Sequence, residues 1–249
     1  KDEVKLITDI IKEFYSTMWL LDSYWVSLSV RDDEDKSKYL GSDEVWEKAE
    51  WALEEAAIVN NLPYKRMPWE AAFYGPKLDF MFKDCIGREW QLATIQCDFN
   101  LPERFKLSFT NEAWEEERPV VIHRAISGSL ERFMWIIIEH FAWAFPLWMS
   151  PRQIMVVPVA DKFNDYAYKI HKEFQANLFR SNVDNSSDSF SKKIRNAETS
   201  KINYILIVWE QEEKDNSVSV RNYKTKEQST EIVEDFISRI LDEVKTKKI

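Results

Sequence analysis

The sequence predicts an α/β protein in two parts, and three observations carry that expectation. Apolar residues recur at helical spacing near the start, the pattern changes to alternation between Lys77 and Phe99, and beyond Pro146 strand-like and helix-like runs follow each other in turn. With 249 residues and 45% hydrophobic content, the chain is long enough for two ordinary domains with real cores. The change of texture places their boundary near Met149, giving residues 1–148 and 149–249.

From Asp2 to Tyr15, the residues Val4, Ile7, Ile11 and Phe14 make one apolar stripe, the mark of an amphipathic helix with a single buried face. A strand follows at Val26–Val30. Ser42 suits an N-cap, and Asp43 and Glu44 complement the positive end of the next helix, whose stripe of Trp46, Ala49, Leu53 and Ala56 reads as plain core packing. Between Lys77 and Phe99 the period is two: Leu78, Phe80 and Phe82 alternate with Asp79, Met81 and Lys83. Asp84 to Gly87 supplies a turn, so this segment is an antiparallel hairpin. Its second arm sets Trp90, Leu92, Thr94 and Gln96 on one face and Gln91, Ala93, Ile95 and Cys97 on the other. Polar groups thus stand among apolar ones on both faces, where a purely structural strand would segregate them better. A helix from about Ser129 to Phe141 carries Leu130, Phe133, Ile137 and Phe141 on one side. The second part runs through a strand at Ile154–Val159, a helical stripe of Phe163, Tyr166, Ile170 and Phe174, a strand at Tyr204–Val208 and a last helix from Glu231. Asn182–Ser191, rich in Ser, Asn and Asp, reads as a loop.

A net charge of −9 argues against a continuous basic face that binds nucleic acid without specificity, and it leaves room for a local patch. Cys85 and Cys97 have the spacing of neither a zinc knuckle nor a secreted disulfide scaffold, which points to reduced thiols in a cytoplasmic protein. The longest apolar run, Phe133–Leu147, is broken by Glu139 and His140, so no membrane span is expected, and no signal-peptide pattern opens the chain. A start at Lys1 suggests a piece of a longer protein.

Three stretches carry a family likeness. They are Ala72–Lys77 (A-F-Y-G-P-K), Ala93–Phe105 (A-T-I-Q-C-D-F-N-L-P-E-R-F) and Arg118–Phe133 (R-P-V-V-I-H-R-A-I-S-G-S-L-E-R-F). Taken in order, they resemble threonyl-tRNA synthetase, a class II aminoacyl-tRNA synthetase, from midway through its catalytic domain to the C-terminus. The resemblance implies an α+β catalytic part with an antiparallel sheet and helices, followed by an α/β anticodon-binding domain with a mixed sheet. It implies a ligase that activates threonine with ATP and Mg2+ and transfers it to tRNA(Thr), homodimeric when full length and inactive as this piece alone.

The third stretch resembles the class II third motif. A Gly and a Ser at a helix start free backbone N–H groups, and Arg132 adds a positive fork for a triphosphate. By the same resemblance, Lys77 contacts the amino acid or its adenylate, Tyr74 lines the threonine pocket, Gln96 reaches the nucleotide and Ser129 stands at the threonine site. His123 takes the place of one of three zinc ligands, the others lying upstream of Lys1; Cys85 and Cys97 do not match them. In the second part, Lys192–Lys201 resembles the anticodon-binding helix, with Lys192 and Arg195 on it. Glu212 and Arg221 fall at base-contacting positions, and Ser187 replaces a usual asparagine. Each assignment has a bland counterpart: a structural histidine, ordinary sheet packing for Tyr74 and Gln96, an ion-paired turn at Glu131 and Arg132, a solvated basic helix face. A non-catalytic RNA-binding relative and a prolyl or seryl enzyme are the competing functions.

The chain holds 4 Gly and 11 Trp, an imbalance that asks for a cause. Trp46, Trp90 and Trp148 match family tryptophans, whereas Trp19, Trp69, Trp114, Trp135, Trp143 and Trp209 fall where related sequences carry Gly. This suggests UGA codons read as glycine in the source and rendered here as tryptophan. As genuine tryptophans, Trp135 and Trp143 are expected to overpack a filled core.

Overall fold

The computed structural model describes residues 2–21 and 24–248. It divides into two compact units, Lys1–His140 and Phe141–Ile249. The first contains α1 (Asp2–Ser16), β1 (Tyr24–Ser29), α2 (Asp43–Val59), β2 (Tyr64–Met67), β3 (Lys77–Lys83), β4 (Glu89–Asp98), α3 (Asn100–Arg104), β5 (Phe109–Thr110), β6 (Glu116–Glu117), β7 (Val121–Ala125) and α4 (Leu130–Phe141). Its sheet has the order β2-β1-β3-β4-β7, antiparallel throughout except for the parallel edge pair of β1 and β2. Strands β5 and β6 form a separate two-stranded ribbon.

Register decides which side of this sheet is core. Val26, Phe80 and Ala93 lie abreast, as do Leu28, Leu78 and Ile95, and all six are fully buried. Tyr15 of α1 stacks on Phe82 at 3.8 Å, and Phe133 of α4 meets Phe14 and Tyr15 at 5.4 and 6.3 Å. The opposite side carries Ser27 beside Asp79, Ser29 beside Lys77, and Gln96 between Lys77 and His123.

The hairpin forms as the alternation predicts, with one departure. Phe80 pairs with Ala93 but Met81 pairs with Gln91, so Leu92 is an extra residue in β4. This bulge cancels one step of the alternation and moves Gln91 to the side of Thr94 and Gln96. The α2 stripe is buried as expected, and Ser42 caps the helix, accepting from the Val45 N–H at 3.4 Å. On α4, Phe133 and Ile136 form the buried pair and Leu130 stands exposed, because the rings of α1 fix which face turns inward.

The second unit contains β8 (Ile154–Pro158), α5 (Asn164–Ala176), β9 (Ser181–Val183), α6 (Phe190–Thr199), β10 (Tyr204–Val208), α7 (Glu210–Asp215), β11 (Ser217–Asn222), β12 (Gln228–Ile232) and α8 (Val233–Lys245). Its sheet, β12-β11-β10-β8-β9, is mixed: β9, β8 and β10 run parallel, while β11 and β12 join antiparallel. Tyr166, Ile170 and Phe174 of α5 and Phe236 and Ile240 of α8 pack on Val156, Leu206 and Val220. On the other face Ala197 of α6 meets Val157 and Ile205. The segment 141–149 is tied into this unit, since Asn203 Nδ2 donates to Phe145 O at 2.8 Å and Gln153 Nε2 to Leu147 O at 2.7 Å. The last helix starts at Val233, not Glu231, because an exposed edge strand, β12, occupies Gln228–Ile232. Among the described residues no helix is long and apolar enough to cross a membrane.

The overpacking expected at Trp135 and Trp143 does not occur, for both side chains stand on the surface, 56% and 63% exposed. Four tryptophans instead share an unusual backbone. Trp19, Trp69, Trp114 and Trp143 have φ of 54°, 58°, 62° and 66°.

Candidate functional site

The polar side of the first sheet gathers Ser29, Lys77, Asp79, Gln91, Thr94, Gln96 and His123. Asp79 is buried at its centre. One carboxylate oxygen accepts from Gln91 Nε2 at 2.6 Å and Thr94 Oγ1 at 2.8 Å; the other accepts from Ser29 Oγ at 3.1 Å and engages Lys77 Nζ. Gln96 Nε2 donates to Gly75 O at 3.3 Å, anchoring the turn that carries Tyr74. Gly75 is obligatory there, since a Cβ would lie 1.9 Å from Cys97 O. The Tyr74 ring meets the His123 imidazole edge-on at 6.4 Å.

His123 Nε2 is 2.8 Å from Asp98 Oδ2. The other Asp98 oxygen accepts the N–H groups of Asn100 and Leu101 at 2.8 and 3.0 Å, so one buried carboxylate holds both the imidazole and the start of α3. Among the described residues no three His, Cys, Asp or Glu side chains gather where they could share a metal ion. The described residues therefore do not by themselves make a complete metal site. Cys97 lies buried nearby in β4, and burial pushes its thiol up to about 11.

Arg132, in the first turn of α4, donates from Nη2 to Gln91 O at 2.7 Å and lies 5.9 Å from the Trp90 ring centroid. Its buried Nε–H has no hydrogen-bond partner among the described residues. Gly128 at φ +61° makes the turn before the helix, and a Cβ there would press within 3.2 Å of Leu92 O. Ser129 Oγ accepts from Arg132 N at 3.3 Å and donates to Glu131. Below this end of the site, Asp84 in the hairpin turn accepts from Arg88 Nε and Trp90 Nε1, and Arg88 also engages Glu139 of α4.

The predicted residues of the first unit thus fall into two linked groups. Lys77, Gln96, His123 and Tyr74 belong to the sheet and the turn before it, and Arg132 and Ser129 belong to α4, joined to the sheet through the Gln91 carbonyl. Asp79, Gln91, Thr94 and Asp98 were not singled out by sequence reasoning. For Gln91, Thr94 and Asp98 the signal was the mixture of polar and apolar residues along β4; Asp79, on β3, read as the polar step of a regular alternation.

In the second unit, Lys192 and Arg195 are exposed on α6, with Lys192 Nζ 2.8 Å from Asp188. Arg221 Nε donates to Glu198 Oε1 at 2.8 Å, and Lys226 approaches the other oxygen at 3.1 Å; the Arg221 hydrogen bond is the main influence holding the Glu198 carboxyl below its usual range. Glu212 is buried, and one of its oxygens has no hydrogen-bond partner among the described residues. Within the basic run only part faces solvent, for Lys193 is buried with its ammonium on Asp184 O at 3.0 Å.

A family model described as the tRNA synthetase class II core domain (G, H, P, S and T) matches residues 1–141, and one described as an anticodon binding domain matches residues 153–243. The chain belongs to the class II aminoacyl-tRNA synthetases. Within that class it groups with the threonyl enzymes. It is 48% identical over 221 residues to threonine–tRNA ligase of Parabacteroides distasonis, covering 89% of this chain and 34% of that protein. The chain spans about a third of the length of the curated relatives it matches. Among solved structures, the RNA binding domain of threonyl-tRNA synthetase from Cryptosporidium parvum superposes with a TM-score of 0.90 at 34% identity, over 97% of this chain and 60% of that one. A putative threonyl-tRNA synthetase from Aeropyrum pernix gives a TM-score of 0.77 at 30% identity, over 99% and 60%.

Proposed function

We propose that the chain supplies part of the catalytic core and the anticodon-reading domain of a threonine–tRNA ligase. Activation joins the threonine carboxylate to the α-phosphorus of ATP and expels pyrophosphate; transfer then joins the acyl group to a terminal ribose hydroxyl of tRNA(Thr) and releases AMP. Both steps concentrate negative charge on phosphate oxygens, so the protein's work is the placement of positive groups more than proton transfer. Lys77 meets the carboxylate or the adenylate, and Arg132 grips the triphosphate that arrives with Mg2+. The partnerless Arg132 Nε–H supports this role, because a buried donor of that kind awaits an acceptor. Gln96 bonds the nucleotide, Tyr74 and Ser129 line the threonine pocket, and His123 would be one of the ligands of a zinc ion, which would supply a Lewis acid for the amino and hydroxyl groups of threonine. In the second unit Lys192 and Arg195 hold phosphates while Glu212 and Arg221 read anticodon bases. A cytoplasmic homodimer is part of the same reading.

The observation that carries it is the convergence of Lys77, Gln91, Gln96 and His123 on one sheet face whose reverse is core, in a chain whose relatives are threonine–tRNA ligases. The test is ATP–pyrophosphate exchange by the full-length gene product with threonine, serine or proline. Threonine alone should support exchange, and the 249-residue chain by itself should support none. Exchange driven by serine or proline, or by no amino acid at all, would remove the proposal.

A further inference from the structure

Asp79 has no part in the roles above, yet it is the most heavily hydrogen-bonded carboxylate of the polar face. Its donors come from three strands: Ser29 on β1, Lys77 on β3, Gln91 and Thr94 on β4. We infer that Asp79 is the positioning residue of this site, fixing the Lys77 ammonium where it meets substrate and holding the Gln91 amide beside it. A carboxylate suits four convergent donors because it only accepts, whereas an amide would turn its own N–H groups toward two of them. Lys77 has three N–H donors, so the bond to Asp79 aims the ammonium and leaves two for anionic groups. The Leu92 bulge belongs to the same device, since without it Gln91 would point to the core side.

This inference rests on the proposed ligase activity, and the experiment separates the two. In the full-length protein, threonine-dependent exchange by the wild type tests the activity; only then is Asp79→Asn compared. Misplacing a reacting group lowers rates strongly, so kcat should fall about 100-fold. In the 249-residue chain, acetylation of Lys77 relative to Lys83, on the same strand and more exposed, should rise several-fold once the ammonium is released. A merely structural role would lower the melting temperature and leave that ratio unchanged. If Asp79→Asn does not fold, Asp79→Glu keeps the charge and displaces it by one methylene, and kcat should still drop at least tenfold. An unchanged labelling ratio, or kcat within threefold of wild type in the folded variant, overturns the inference.

The tryptophan backbone carries a second inference independently. For a bulky side chain a positive φ is a genuine outlier, and glycine is the residue that adopts it without strain. Trp19, Trp69, Trp114 and Trp143 all adopt it, and their side chains are 58%, 68%, 90% and 63% exposed. Of the four rings only that of Trp143 meets another, edge-on to Phe145 at 6.4 Å, among the described residues. Gly41, Gly87 and Gly128 have the same sign of φ, as do eight other described residues, which are four lysines, two asparagines, one alanine and one leucine; no other aromatic residue joins the four tryptophans. The structure assigns glycine to these four positions in the natural polypeptide, the codon being one read as glycine in the source and as tryptophan here. Trp135 lies inside α4 and Trp209 is extended, so the backbone is silent on those two. The test is to sequence the gene and to weigh the corresponding peptides of the protein isolated from its source. UGA codons and glycine masses at the four positions are expected; UGG codons or tryptophan masses overturn the assignment. In the recombinant chain Trp114→Gly should raise Tm by about 2–4 °C and Trp114→Ala should not, reflecting the left-handed cost alone. Equal effects of Gly and Ala would count against it.

Discussion

Asp84 offers the sharpest test of how the hairpin is held. Its carboxylate is fully enclosed and accepts from the N–H groups of Ile86 and Arg88 at 3.1 and 2.8 Å, from Arg88 Nε at 2.6 Å and from Trp90 Nε1 at 2.8 Å. Burial alone would raise its pKa, but the indole, the guanidinium and the two backbone donors outweigh that and hold it at about 2, against 3.8 for a free aspartate. Such a depression is worth about 2 kcal/mol of folding stability. Because the folded value is the lower one, this stability is present above pH about 4 and is lost as pH falls through about 2. Asp84→Asn removes the charge and turns an N–H toward Trp90 or the backbone, for an expected loss of about 2–4 kcal/mol at neutral pH. Urea unfolding of both proteins, followed by circular dichroism from neutral pH downward, should show the gap narrowing by about 2 kcal/mol toward pH 2. A gap that stays constant with pH would mean that the carboxylate is not held in its charged form by this turn.

Gly75→Ala should be the most damaging small change in the first unit, because its Cβ would collide with the Cys97 carbonyl; loss of soluble protein, or a stability cost above about 4 kcal/mol, is expected, and an ordinary melting curve would refute it. With a disulfide thiol reagent at mildly alkaline pH, exposed Cys85 should react and Cys97, pushed up to about 11 by burial, should react only after denaturation. Two fast thiols would contradict the burial of β4. Arg221→Ala should weaken binding of a threonine anticodon stem-loop by about 1–3 kcal/mol and spare a scrambled loop, while Lys192→Ala should weaken both in a salt-dependent way. Equal loss on both loops for Arg221→Ala would deny it a base-reading role.

The sequence made the hairpin legible because two periods of alternation leave a strand no other reading, and the α2 stripe was legible for the same reason at helical spacing. The bulge at Leu92 was not, since an extra residue changes which side Gln91 faces without changing the composition of the strand. Asp79 was read as the polar step of an alternation, when its register opposite Thr94 makes it the centre of a network. Strand β11 had a usable signal in Ser217, Val218, Ser219 and Val220; β12 had none, being polar and exposed. The burial of Glu212 and Lys193 was invisible because charged residues read as surface until a neighbour is seen to cover them.

The carboxylate of Asp98 serves two elements at once. Its Oδ2 lies 2.8 Å from Nε2 of His123, so that edge of the ring is turned to the carboxylate and Nδ1 lies on the opposite edge. Because the second Asp98 oxygen accepts the first N–H groups of α3, one buried side chain couples an imidazole on β7 to the start of a helix that follows β4, and Asp98→Ala would release both at once.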